Sequence, residues 1–142
     1  MLMLPGMKRL FLLFALFTVW AGAAEVAKIS PAEAAKRVAD GQALLVDVRE
    51  PAEWVETGVA TPAVLMPKSE FDDNLSGDWK GFLEKNRDKQ IILYCRSGRR
   101  SGAVAASLAE KGYNVANAGG FKNWESAGLP VRLVSEAPAK KK

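Results

Sequence analysis

Four short apolar runs, at residues 44–48, 64–66, 90–94 and 114–118, recur along the chain with helix-patterned segments between them. Runs this short suit strands buried on both faces, and strands alternating with helices at such intervals predict a parallel sheet with helices on both faces. The intervening segments carry their own signals. Ser30-Pro31-Ala32-Glu33 reads as a capping box with proline at the first helical position, opening a helix that ends near Asp40-Gly41. Glu50-Pro51 opens a second helical turn carrying Trp54, and Pro67 closes the 64–66 strand. Residues 71–86 place Phe71, Leu75, Trp79, Phe82 and Leu83 at helical spacing, interrupted by Gly77. A further helix runs from Ser101 to Gly112 with Val104 and Leu108 inward, and residues 26–29 are a candidate edge strand. At 142 residues, 49% of them hydrophobic, the chain can build one compact domain and not two.

The chain's one cysteine, Cys95, ends the 90–94 run and is followed at once by Arg96, Ser97, Gly98, Arg99, Arg100 and Ser101. In an open α/β sheet this is the carboxyl end of a strand, where sites form. A free cysteine ending an apolar strand is commonly just packing. Packing needs no cationic loop, however, and loop amides, a helix dipole and guanidinium groups all favour thiolate over thiol. The sequence holds no histidine, which removes Ser-His-Asp and Cys-His catalysis, and with one cysteine it offers no ordinary zinc site. No metal and no cofactor are therefore expected. Asp47 and Arg49 close another strand on the same side of the sheet, either supporting the site or pairing with each other. Trp54, Trp79 and Trp124 read as core or site rim, and Asp72-Asp73 as a surface pair without an acid-base role.

The formal net charge of +4 belongs mostly to the ends. Lys8, Arg9 and Lys140 to Lys142 aside, fifteen basic residues face sixteen acidic ones. Nothing here suggests a nucleic-acid groove. Residues 1–24 read as a signal peptide: Lys8 and Arg9, an apolar run over 10–20, then Ala21-Gly22-Ala23-Ala24, with cleavage after Ala23 or Ala24. The run is short for a membrane span, so an uncleaved anchor is the lesser alternative. Met7 would serve as an alternative start. Residues 135–142 form a basic tail. Export to an oxidising compartment, with the bacterial periplasm foremost, gives the lone thiol a meaning beyond stapling, since it has no internal partner.

The segment CRSGRRS resembles the active-site loop of the rhodanese (thiosulfate sulfurtransferase) family. LLVDVRE at 44–50 and GGFKNWESAGLPV at 119–131 resemble that family's second strand and closing segment. The leader, the loop and the NAGG stretch at 117–120 are similar to the small periplasmic members of the phage-shock-protein-E type. The resemblance implies a single rhodanese-like domain over 25–134, an α/β fold with about five parallel strands. It also implies Cys95 as nucleophile and persulfide carrier, Arg96 and Arg100 as the foremost donor-anion contacts, and Ser97, Gly98, Arg99 and Ser101 completing the loop, with Arg99 equally able to face solvent. Sulfur would pass from thiosulfate or a similar donor to cyanide, a small thiol or dithiol, or a protein acceptor. Cysteine phosphatases of related fold close the loop with arginine six positions after the nucleophile. Here Ser101 holds that position and Arg100 comes one earlier. The chain departs from the family pattern at Val59, where a histidine is usual. Two other readings remain at this stage: a non-catalytic rhodanese-like binding module, and a thiol redox sensor.

Overall fold

The computed structural model describes Met3 and residues 25–136, so the expected leader, its cleavage point and the lysine tail fall almost wholly outside the described residues. In chain order the elements are β1 (Ala27–Lys28), α1 (Pro31–Ala39), β2 (Ala43–Asp47), α2 (Pro51–Thr57), β3 (Val59–Ala60), β4 (Val64–Leu65) and α3 (Lys68–Asp72). They continue with α4 (Trp79–Lys85), β5 (Gln90–Cys95), α5 (Arg99–Glu110), β6 (Val115–Gly120), α6 (Phe121–Ser126) and β7 (Val131–Arg132). Five of the strands form one sheet in the order β1-β6-β5-β2-β4, every neighbouring pair parallel. This is the α/β architecture expected, with β5 in the centre.

Strand alternation sorts the core into two layers. Ile91, Leu93 and Cys95 of β5 point to one face, where they join Val46, Val48, Trp79, Leu83, Val104 and Leu108 under α4 and α5. Ile92 and Tyr94 point to the other, among Leu45, Ala116, Phe121 and Trp124 beneath α1 and α6. The nucleophile expected from sequence therefore belongs to the α5 face, fixed there by the same period of two that buries its neighbours.

The start of α1 follows its sequence signal: the Ser30 hydroxyl accepts the Glu33 amide at 3.1 Å, with Pro31 at the first helical position. Other elements differ from expectation. The segment 71–86, expected to be interrupted at Gly77, is the end of α3, a turn that begins before Gly77 and contains it, and α4. Asn74 and Leu75 both sit at positive φ, 53° and 58°, which an α-helix cannot accommodate. Trp79 anchors the joint, its indole N–H donating to the Pro67 carbonyl at 3.0 Å and its ring meeting Phe71 edge-on. Outside the main sheet, β3 and β7 pair antiparallel, with Val59 opposite Arg132. Val59 is wholly buried in that ribbon.

Near its carboxyl end β6 departs from a regular ladder against β5. Leu93 lies opposite Asn117, whereas Cys95, two residues later, lies opposite Gly120, three residues later. The extra residue is a bulge, and it brings the Gly119-Gly120 backbone against the loop that follows Cys95.

Candidate active site

The loop from Cys95 to Ser101 folds back over its own sulfur. Gly98, at φ +95°, takes the left-handed conformation and is the residue before α5, where no side chain caps the helix. Its amide donates instead to Cys95 Sγ at 3.0 Å, and the Ser101 hydroxyl lies 3.4 Å from the same sulfur. Burial is the largest single influence on the thiol and pushes its pKa up. The Ser101 hydroxyl and the amides of Ser101, Ser97 and Gly98 together outweigh it and hold the thiol below the ordinary cysteine range. The sulfur is thus prepared as a thiolate without an imidazole, at the positive end of a 12-residue helix.

The structure divides the loop arginines. Arg96 and Arg99 are exposed, and among the described residues neither forms an ion pair. Arg100 turns to α2, where its two terminal nitrogens each lie 2.7 Å from a carboxylate oxygen of Glu53. That carboxylate also accepts the Glu50 amide at 2.9 Å, closing the N-terminal box of α2. Arg100, expected as a donor-anion contact, therefore braces the loop against α2 through the Glu53 carboxylate. The Arg100 bond pulls the Glu53 carboxyl down, against the smaller opposing effect of burial.

Asp47 and Arg49 pair with each other. Arg49 donates to both Asp47 oxygens, at 2.8 to 3.1 Å, and also to the Thr57 hydroxyl and the Gly58 carbonyl. Its guanidinium lies 4.4 Å from the Phe121 ring centre. Both residues are buried, and the Tyr94 hydroxyl nearby accepts the Ala60 amide. This cluster ties β2 to α2 and α6. The structure gives neither residue a bond to the Cys95 sulfur.

Two clefts flank the loop. One, of about 420 Å³, is bordered by Lys28, Ser97, Arg99, Asn117 and Asn123, and the other, of about 260 Å³, by Arg49, Glu53, Arg96, Lys122 and Glu125. Cys95 itself presents no exposed surface.

The family model described as the Rhodanese-like domain matches residues 30–127, most of the chain and all of the sheet beyond its first edge strand. The chain belongs to the rhodanese family. A rhodanese-related protein of solved structure from Thermoplasma volcanium is similar to it, with a TM-score of 0.63 and 29% identity, over 76% of this chain and 99% of that one. A sulfurtransferase of Allochromatium vinosum is 35% identical over 109 residues, covering 75% of this chain and 94% of its own length. The thiosulfate sulfurtransferase GlpE of Actinobacillus succinogenes is 33% identical over 106 residues, covering 73% and 88%.

Within this rhodanese domain, two residues that hold the loop escape the sequence reading. Glu53 carries no sequence signal beyond being an acid in the first turn of α2. Asn117, 8% exposed in the middle of β6, donates to the Gly98 carbonyl at 2.9 Å and accepts the Ser101 hydroxyl at 2.8 Å and the Gly119 amide at 3.0 Å. The available signal was an amide inside an otherwise small and apolar strand, since a buried amide must find partners.

Proposed function

We propose that the protein is a sulfurtransferase that carries sulfane sulfur on Cys95, taking it from thiosulfate or a similar anionic donor. The observation that carries this reading is the sulfur's position at the start of α5, accepting from the Gly98 amide and the Ser101 hydroxyl. The Cys95 thiolate attacks the outer sulfur of thiosulfate. A new S–S bond forms, the bond to the sulfite sulfur breaks, and sulfite leaves with that electron pair. The product is a Cys95 persulfide bearing one negative charge on its terminal sulfur. An incoming thiolate or cyanide then attacks that terminal sulfur, and Cys95 leaves as thiolate. The charge stays within reach of the loop throughout, so donors fixed in advance serve both half-reactions. Exposed Arg96 and Arg99 draw the dianion toward the loop. The two relatives named as sulfurtransferases, from Allochromatium vinosum and Actinobacillus succinogenes, support the same chemistry. The leader pattern supports action in the periplasm, after the manner of the phage-shock-protein-E type.

The complete burial of Cys95 favours a second reading, a module that uses the same cradle to bind a partner without turnover. Intact-mass analysis of the protein without residues 1–24 separates the two. After thiosulfate, the parent is expected to gain one sulfur, cyanide to remove it as thiocyanate, and Cys95→Ser to gain none. A folded parent with a free thiol that gains no sulfur from several sulfane donors would sink the transferase and leave the binding module.

A further inference from the structure

Ser101 is wholly buried and has one hydroxyl proton but two acceptors: Cys95 Sγ at 3.4 Å and Asn117 Oδ1 at 2.8 Å. The Asn117 amide cannot turn to resolve the conflict. Its nitrogen is held by the Gly98 carbonyl and its oxygen by the Gly119 amide, so Oδ1 faces Ser101 as an acceptor only. If the Ser101 proton points to Oδ1, a lone pair faces the sulfur, which suits a neutral sulfur or an S–H donor. If it points to Sγ, it stabilises the thiolate, while Oγ and Oδ1 confront each other at 2.8 Å with no proton between them.

We propose that Asn117 is a positioning residue that competes with Cys95 for the Ser101 proton and receives it when the sulfur's charge moves outward. Taken with the sulfurtransferase reading on which this half rests, thiolate and persulfide are the two states concerned. In the free enzyme the charge is on Sγ and Ser101 donates to it. Once the outer sulfur is attached, Sγ is neutral and the charge lies one bond further out. Ser101 then turns to Oδ1, and no buried donor is stranded in either state. The Gly119 amide keeps Oδ1 satisfied while Ser101 is turned away. Asn117 thereby costs the free thiolate some stabilisation and supports the loaded form.

The test is a pH titration of thiolate ultraviolet absorbance, taken as the difference from Cys95→Ser, for the parent, Asn117→Ala, Ser101→Ala and the double variant. Other charges near the sulfur are Arg96 and Arg99 of the loop, Arg100 with Glu53, and Lys68, Glu70 and Asp72 on α3, which packs against α5. The Asp47–Arg49 pair and Tyr94 lie across the sheet. None of these groups is altered by the variants. Asn117→Ala is expected to raise the thiolate-to-thiol ratio at fixed pH by about three- to tenfold, the worth of one hydrogen bond, and Ser101→Ala to lower it. In the Ser101→Ala background the Asn117 effect should vanish. An effect of equal size in both backgrounds would overturn the proposal, because a loop disturbed through Gly98 does not need Ser101.

Should Asn117→Ala fail to fold, Asn117→Asp keeps the shape and the acceptor oxygen. It must lower the thiolate ratio, and do so more with Ser101 present than in the Ser101→Ala chain, or the proposal falls. In the sulfur-loaded parent, Asn117→Ala should shorten the persulfide lifetime by a similar factor, and an unchanged lifetime would count against it. The titration uses no sulfur donor, so a parent that never gains sulfur refutes the sulfurtransferase reading separately from the proton competition.

Discussion

Gly120 shows how little room the loop leaves. A methyl group built on its α-carbon would collide with the Arg96 carbonyl oxygen, which belongs to the loop, and no flexible side chain is available to yield. Gly120→Ala is therefore expected to push Arg96 away and carry the Gly98 and Ser97 amides out of line with Sγ. Overpacking of this kind costs about 1–3 kcal/mol. Loss of a fixed donor lowers rates by about 100-fold or more. Sulfur-loading kinetics and denaturant unfolding measure both. Loading at the parent rate in a folded Gly120→Ala protein would mean that the loop does not depend on this contact. The Gly119-Gly120 pair was visible in the sequence, as was the Cys95 loop, because both are local runs. The partners that fix them were not. Arg100 finds Glu53 from 47 residues away, and Ser101 finds Asn117 from 16, distances at which no sequence spacing carries information.

Among the elements, Glu53 joins the start of α2 to the loop that follows Cys95. Its carboxylate accepts from Glu50 and from both terminal nitrogens of Arg100, at side-chain exposures of 26% and 31%. A folded-state pKa held low contributes stability that is present above the unfolded carboxylate pKa and fades as pH falls through the lowered value. Glu53→Gln keeps one acceptor oxygen but loses the charge and the two-point grip. It is expected to cost about 1 kcal/mol at neutral pH, discounted for exposure, with the gap from the parent closing in acid. A gap that persisted unchanged to low pH would show that the carboxylate's charge is not what matters. The elements themselves were legible where they were long or periodic: β2, β5, α1 and α5 all lie within a residue or two of expectation. The β3–β7 ribbon was not, since two-residue strands have no period to read. The interruption over 71–86 was legible at Gly77, but it begins earlier than that, because Asn74 and Leu75 turn the chain while Phe71, Leu75, Trp79 and Phe82 keep helical spacing.

For the whole molecule, the lowered Cys95 thiol links ionisation to folding. In the unfolded chain the thiol titrates near its ordinary value, about 8.5. In the folded chain burial opposes ionisation, but the Ser101 hydroxyl and loop amides outweigh it. Stability from this group is absent below the folded pKa. It grows as pH rises toward the unfolded value and is fully present above it. Parent and Cys95→Ser, unfolded by denaturant under reducing conditions across this range, are expected to diverge in the parent's favour as pH rises. Parallel profiles would mean that the folded thiol is not stabilised as thiolate.

The start of α5 gives that linkage its meaning. Helices α1 and α2 begin on oxygen: Ser30 for α1, and the Glu50–Glu53 exchange for α2. The 12-residue α5 instead has a left-handed glycine at its head and turns that residue's amide to sulfur. The Cys95 sulfur therefore stands where a capping oxygen stands elsewhere. Protonation, alkylation or oxidation of that sulfur is expected to loosen an element that lies against β5 and β6. Damage to the chemistry would thus be registered as a softening of the scaffold.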